Sequence, residues 1–272
     1  MSATNPSVEF ASHHWADWRS PDFKRLDPQR TVAVLPLGAT EQHGPHLPLS
    51  VDTVLVDGVL AAALAQLTSH DPVLVLPTLS VGLSTEHTAF AGTLSLSPQT
   101  TLQLWLDLAA SVARAGVKKL LLFNAHGGHA GLMDVAAREM RGQFGLTVFS
   151  SHWYQLPLGE AMDAFSAQEQ RFGVHAGAVE TSMMLALQPG RVDMTQAQHF
   201  ASASQARATN HVLLGDGRSA KLGWHMQDYN PQGAAGDARA ASREKGAALV
   251  QASATQLVHL LRELVVFEPL AA

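Results

Sequence analysis

The sequence predicts an α/β protein with three layers, α/β/α, around a mostly parallel central sheet. Three observations carry that reading. Short apolar runs alternate with longer stretches of helical periodicity along the 272-residue chain. The runs are continuously apolar, as in strands covered on both faces. A cluster of Glu or His follows each run, at the end of a parallel sheet where such proteins hold their ligands. No repeat, low-complexity tract or linker divides the chain, so 1–272 reads as one domain, with 1–30 as an N-terminal extension packing on the body.

The elements follow in order. Residues 1–30 are polar and irregular, with Trp15 and Trp18 as anchors onto the body. Thr31–Leu37 is the first strand. A Pro/Gly-rich stretch after it carries Glu41, His43, His46 and Asp52, and a helix occupies 53–68. Val73–Pro77 is the second strand, followed by a loop with Ser84, Glu86 and His87. Ser97 and Pro98 are the start signals of a helix that Gly116 ends. Leu120–Phe123 is the third strand, leading into Asn124-Ala125-His126-Gly127-Gly128-His129 and a helix over 131–142. Leu146–Ser150 is the fourth, ending near His152 and Trp153. A weaker helix is expected over 158–170. His175 then precedes an apolar helix that carries Glu180 near its start. Residues 190–237 lack clear periodicity, and a long amphipathic helix from Ser242 to Val266 closes the chain.

Composition narrows the function. A net charge of −5, a pI of 6.2 and no basic stripe argue against a nucleic-acid partner. With no cysteine, disulfides, thiolate metal sites and a Cys nucleophile are excluded. No apolar run reaches the roughly 18 residues of a membrane span, so no membrane partner is expected. Met1–Phe10 lacks the form of a signal peptide, and a cytoplasmic location is expected. Fourteen histidines beside eighteen Lys and Arg point towards metal or acid–base chemistry.

The metal arithmetic rests on five residues. Glu41 and His43 are two apart, so both point the same way on an extended segment. Asp52 opens the next helix and can fold back beside them; a cap alone would need Asp52 but not the other two. His126 sits in a Gly-rich turn. Glu180 lies early on an apolar helix, where a carboxylate facing the core needs a partner. Two imidazoles and three carboxylates can hold two divalent ions with a bridging Asp. Taken singly, Glu180 also reads as a carboxylate on a solvated face and His126 as a satisfied loop histidine.

Thr40-Glu41-Gln42-His43-Gly44-Pro45-His46-Leu47-Pro48, with Asp52 behind it, resembles the signature of the creatininase family of metal-dependent amidohydrolases. Four more blocks match in family order: Gly82–His87 with Gly92-Thr93, Asn124–Gly128, His175-Ala176-Gly177 with Glu180-Thr181-Ser182, and Ala241–Gly246. The resemblance spans about residues 30–250. It implies a three-layer, creatininase-like fold around a dinuclear site, often in hexamers. By resemblance, Glu41, Asp52 and His126 hold one ion and His43, Asp52 and Glu180 the other. Zn is the first expectation, with Mn or Fe also fitting. A hydroxide activated by the pair would attack an amide-type carbon. His175 matches the catalytic histidine that shuttles a proton to the leaving nitrogen. Ser84, Glu86, His87, Gly127, Gly128, Trp153 and Arg171 are expected on the substrate side. The expected partners are a small-molecule amide and further copies of the chain.

The sequence also departs from creatininase itself. There a Glu two residues after the His of the third motif helps hold the first metal; here that position is Gly128. The expectation is an opened coordination site with less negative charge. The tryptophan four residues before the catalytic histidine is replaced by Arg171, which could bind a carboxylate or phosphate if it faces the cleft. Creatinine is therefore not the expected substrate. The Gly-Gly form looks more like the deformylase and peptidase branches of the family. A non-catalytic metal-binding or assembly subunit is the competing reading.

Overall fold

The structure, a computed structural model, describes residues 9–270. Residues 1–8 of the expected extension and residues 271–272 lie outside the described residues. Four strands, β1 (Val32–Leu37), β2 (Val73–Val75), β3 (Lys119–Asn124) and β4 (Thr147–His152), form one parallel sheet in the order β2-β1-β3-β4. The main helices are α1 (Val51–Leu64), α2 (Pro98–Arg114) and α3 (Ala130–Phe144). The later ones are α4 (Glu160–Asp163), α5 (Ala167–Phe172), α6 (Ala178–Leu187), α7 (Ala203–Asn210), α8 (Met226–Tyr229) and α9 (Arg243–Val266).

Strand alternation builds two cores. Val32, Val34, Leu121 and Phe123 face α1, α6 and α9, against Leu55, Val59, Met183 and Leu257. Ala33, Leu35, Leu37, Leu120 and Leu122 face α2 and α3, against Trp105, Val112, Met133 and Met140. These are the three layers the sequence predicts. Because β1 and β3 are covered on both faces, every residue in them is buried, and the apolar runs are unbroken. The N-terminal segment adds to the second core: Phe10 and Leu26 are buried, and Trp15, Trp18 and Phe23 pack around them. Among the described residues, no helix is long and apolar enough to cross a membrane.

The helix signals act as their chemistry dictates. Ser97 Oγ accepts from the Thr100 N–H at 3.1 Å, and Ser242 Oγ from the Lys245 N–H at 3.2 Å. Gly246 has a different reason. A Cβ there would run into the Ser182 carbonyl, so glycine lets α9 lie close against α6, the helix that carries Glu180.

Two expectations change. The helix expected over 158–170 is broken in two, because Phe165 turns into the core and Ser166 caps α5 by accepting from the Glu169 N–H at 3.2 Å. The segment 190–237, which shows no clear periodicity in the sequence, is built of short elements. It holds α7, α8 and an antiparallel pair, β5 (His199–Phe200) with β6 (Gly236–Asp237). Elements of two to eight residues are too short to display a period.

The sheet order places the site. From β1 the chain steps to β2 on one side, then crosses back to β3 on the other. The crevice between the carboxyl ends of β1 and β3 is therefore the switch point, where open α/β sheets bind ligands. Leu37 is paired with Asn124, and Asn124 with His152, so the three strands end level beneath it.

Candidate metal centre

The side chains arrive from several crossover segments. Glu41 and His43 follow β1, Asp52 lies in the first turn of α1, Glu86 and His87 follow β2, and His126 follows β3. His175 and Glu180 stand just before and just inside α6. Asp52 does not cap its helix, whose first turn has no side-chain cap. Its carboxylate faces inward instead, 3.6 Å from His43 Nε2 and 3.4 Å from His126 Nδ1. Glu41 Oε1 lies 3.2 Å from His126 Nδ1, 3.4 Å from His87 Nε2 and 4.0 Å from His43 Nε2. Among the described residues, four donor sets have their ligand atoms within 4.8 Å of one another: Glu41–His43–Asp52, His43–His175–Glu180, Glu41–His87–His175 and Glu41–Glu86–His126.

Two atoms in this cluster are orphaned. His43 Nε2 and Asp52 Oδ2 are buried and make no hydrogen bond. Buried polar atoms are nearly always satisfied, so a ligand is the natural partner for both. The charges say which kind. Burial alone would depress His43, but Asp52, Glu180 and Glu41 overcome it and hold the imidazole at about 9. Burial likewise opposes a charged His126, and Glu41 and Asp52 still raise it well above the ordinary histidine range. Asp52 is held below the carboxylate range despite its burial, chiefly by His43. Burial pushes Glu180 up to about 7. The carboxylates draw protons onto their neighbours because the site demands positive charge, a demand that divalent ions also meet.

The surroundings fix orientation. His43 Nδ1 donates to the Glu41 carbonyl at 3.0 Å, which leaves Nε2 free to face inward. Ser84 Oγ donates to Glu41 Oε2. Gln42 Oε1 accepts from the Gly44 N–H at 3.0 Å, so its amide nitrogen donates to His87 Nδ1 at 2.7 Å. His87 Nε2–H is then directed at Glu41. His175 Nε2 donates to the Gln42 carbonyl at 2.8 Å, leaving Nδ1 with the lone pair. Its ring lies 4.2 Å from that of His43 and 4.3 Å from that of His87. Burial and the neighbouring imidazoles keep His175 neutral, well below the ordinary histidine value; His87 falls to about 3 for the same reasons. Ala176, beside His175, has φ of 51°, a strained conformation for a residue with a Cβ. The Ala176 N–H donates to Glu180 Oε2 at 2.6 Å, so the strained turn positions the carboxylate.

A cavity of about 480 Å³ opens over the cluster, walled by Trp153, Tyr154, Met162, Val174 and Trp224. Glu86, His87, Gly127, Gly128 and Trp153 line it. Two residues expected on the substrate side do not. Ser84 is fully buried, with its hydroxyl committed to Glu41. Arg171 turns away: its guanidinium lies 4.9 Å over the Phe172 ring and donates to the Gly215 carbonyl at 3.4 Å. It lines an adjoining pocket of about 310 Å³ that shares Val174 and Trp224 with the first. His46 is not near the ion-binding atoms either; it bonds Thr181 Oγ1 at 2.9 Å and stacks on Phe200.

Other residues in the site were invisible to spacing. Glu169 accepts from the Ala178 N–H at 2.6 Å and the Asp237 N–H at 2.8 Å, and so anchors the start of α6. Asn124 joins His152 at 2.8 Å and His129 at 2.9 Å, and Tyr154 donates to His152 at 2.9 Å. A lone Glu on a weak helix carries no signal. Asn124, at the end of a buried strand, offered one: a polar side chain there needs partners.

Comparisons with known proteins give the chain a family. The family model for creatininase, described as creatinine amidohydrolase, matches residues 16–261. A mycofactocin precursor peptide peptidase from Mycobacterium tuberculosis (strain CDC 1551 / Oshkosh) is 34% identical over 58% of this chain and 59% of its own length. The creatinine amidohydrolase of Pseudomonas putida is 31% identical, over 60% of this chain and 66% of its own. The chain thus spans about three fifths of the length of these curated relatives, which are hydrolases. A solved Zn–Zn form of a creatininase variant superposes with a TM-score of 0.71 at 25% identity, covering 93% of this chain and 98% of that one. The chain belongs to the creatininase family.

Proposed function

We propose that the protein is a metal-dependent amidohydrolase that cleaves the C–N bond of a small amide or formamide at a two-ion site. One observation carries the reading: buried His43 Nε2 and Asp52 Oδ2 have no partner, among carboxylates and imidazoles at the base of a ligand-sized cavity. Nitrogen and oxygen donors of this kind fit Zn, Mn or Fe, and creatininase neighbours include both a Zn–Zn and an Mn form, so zinc is the first candidate and manganese the second. Glu41, Asp52 and His126 would hold one ion; His43, Asp52 and Glu180 would hold the other. When bound, such ions polarise an amide carbonyl and acidify water.

The chain's own groups do the rest. His175 is neutral, with Nε2–H committed to the Gln42 carbonyl, so Nδ1 accepts a proton and passes it to the leaving nitrogen. Gln42 holds both His175 and His87, through its carbonyl and its amide. Trp153, Tyr154 and Trp224 exclude water and orient the apolar part of the substrate. The reading includes a homo-oligomer, hexameric by family resemblance, acting in the cytoplasm without nucleic acid or membrane.

A second reading is a peptidase that acts on a short peptide. The mycofactocin precursor peptide peptidase supports it, as does a cavity larger than a formamide needs.

The test is elemental analysis of chelator-free protein beside Asp52→Ala, followed by a panel of amides, formamides and short peptides. About two equivalents in the parent, falling well below one in the variant, is expected if Asp52 helps to hold both ions. A single equivalent would mean a mononuclear site. No uptake of added Zn or Mn would leave a non-catalytic scaffold.

A further inference from the structure

The pocket of about 310 Å³ beside the main cavity is charged one-sidedly: Arg171, Arg207 and Lys221 line it against Asp216 alone. Asp216 is already engaged. It accepts from the N–H groups of Arg218 and Ser219 at 2.8 Å each, and from the Ser219 hydroxyl. Among the described residues, no ion pair involves Arg171, Arg207 or Lys221. The two guanidinium groups are instead held by neutral partners that themselves line the pocket. Arg171 donates to the Gly215 carbonyl and lies over the Phe172 ring. Arg207 donates to the Tyr229 hydroxyl at 3.3 Å and lies 5.3 Å from the centre of that ring. These contacts fix the two planes and leave most of their five N–H donors unused, so a ligand would meet them already ordered. Unpaired cations on a protein surface are ordinary. Three that converge on one pocket, sharing Val174 and Trp224 with the cavity over the cluster, are not.

We propose that this pocket receives an anionic oxygen group, a carboxylate or a phosphate, at the end of the substrate remote from the amide that is cleaved. The inference rests on the amidohydrolase reading above and narrows its substrates to acidic amides. One molecule then spans both cavities. Its amide lies over the cluster, and its acid end passes Val174 and Trp224 to reach Arg171, Arg207 and Lys221. The guanidinium forks match the oxygens of either acid, and the ammonium adds a point charge. Arg171 does not line the cavity over the cluster, and it meets the substrate from the neighbouring pocket instead.

The experiment measures binding by ligand-observed NMR on chelator-free protein. The probes are N-formyl-ω-amino acids of increasing chain length, the N-formylaminoalkyl phosphates that match them, and neutral N-formylalkylamines of equal length. At the chain length that spans the two cavities, an acid is expected to bind about tenfold or more tightly than its neutral counterpart. Whichever acid series binds more tightly identifies the group. Arg171→Gln and Arg207→Gln should each remove most of this preference and leave the neutral probe's affinity unchanged. No preference for the acid at any length would overturn the proposal. A preference that survives both substitutions would also overturn it, since the acid would then sit elsewhere. Lys221→Gln alters an exposed side chain and is measured alongside in case an arginine variant does not fold. It should lower the acid preference about threefold, and an unmoved preference would again overturn the proposal. Should the acids bind as expected to a protein that takes up no Zn or Mn, the anion pocket would stand and the amidohydrolase reading would fall.

Discussion

The two ends of β3 bury charge in opposite ways. At the amino end, Lys119 is almost completely buried, and its Nζ donates to the carbonyls of Leu264, Val265 and Phe267 at 2.7, 2.9 and 3.1 Å. All three donors of the ammonium are used, on carbonyls at the end of α9 that have no partner within the helix. At the carboxyl end, five residues away, the Glu41–His43–Asp52–His126 cluster leaves buried atoms unpaired. One end is closed and serves the fold. The other keeps two buried donor atoms, His43 Nε2 and Asp52 Oδ2, without a hydrogen-bond partner in the protein. Satisfaction of hydrogen bonds, not burial or charge, separates structural from functional polarity here.

Substitutions at the two ends of β3 should have different consequences. The largest effect is expected at the carboxyl end, for His175→Ala. Turnover should fall by about 10²- to 10⁴-fold while metal content holds at the parent value, as for loss of a proton-transfer group. Elemental analysis beside steady-state kinetics checks both; loss of metal would make His175 a ligand instead. At the closed end, Lys119→Met should cost about 3 kcal/mol of stability, since it removes charged hydrogen bonds and strands carbonyls. Denaturant unfolding measures this, and unchanged metal stoichiometry is expected. A metal-poor Lys119→Met would show that the two ends are coupled.

Smaller effects probe the orientation of the ligands. Ser84→Ala frees Glu41 Oε2, and metal affinity should drop by about tenfold. Equal affinity in chelator competition would make Ser84 a packing residue. The last effect is pH. In the metal-free protein His43 sits at about 9 and Glu180 at about 7, both above their ordinary values. The folded state therefore holds these protons more tightly than the unfolded chain. Their stabilisation is complete at low pH; Glu180's is lost as pH rises from 4.5 through about 7, and His43's from 6.5 through about 9. Bound ions must displace the same protons, so metal affinity should rise with pH across roughly 7 to 9. Calorimetry in buffers of different ionisation enthalpy would detect the released protons, and a flat profile would contradict the assignment of His43.

Much of the fold and of the cluster is legible in the sequence. The runs 31–37, 73–77 and 120–123 read as strands because burial on both faces makes them apolar throughout, and Ser97-Pro98 and Ser242 read as helix starts because the caps are local. The residues of the cluster were legible because Glu41, His43 and Asp52 crowd one short Pro/Gly loop. Arg171 and Ser84 were misplaced. Sequence spacing does not tell on which side of a turn a side chain leaves the backbone, and both turned to partners distant in sequence, Gly215 and Glu41. Glu169 carries no mark in the sequence, because its partners, the Ala178 and Asp237 N–H groups, come from other elements of the fold.

Local sequence accounts for the α/β class, the order of the main elements and the segments that carry the chemistry. Each of these follows from apolar periodicity, from capping residues and from donor-rich motifs, which are properties of neighbouring residues. Only the tertiary structure decided which loops meet. The β2-β1-β3-β4 order brings the ends of β1 and β3 together, and with them Glu41 and His126, 85 residues apart. The same packing sets Glu86 in the space left at Gly128 and Lys119 under the end of α9. The physical reason is that a donor's role depends on the partners left around it in space, and those are chosen by the packing of the layers.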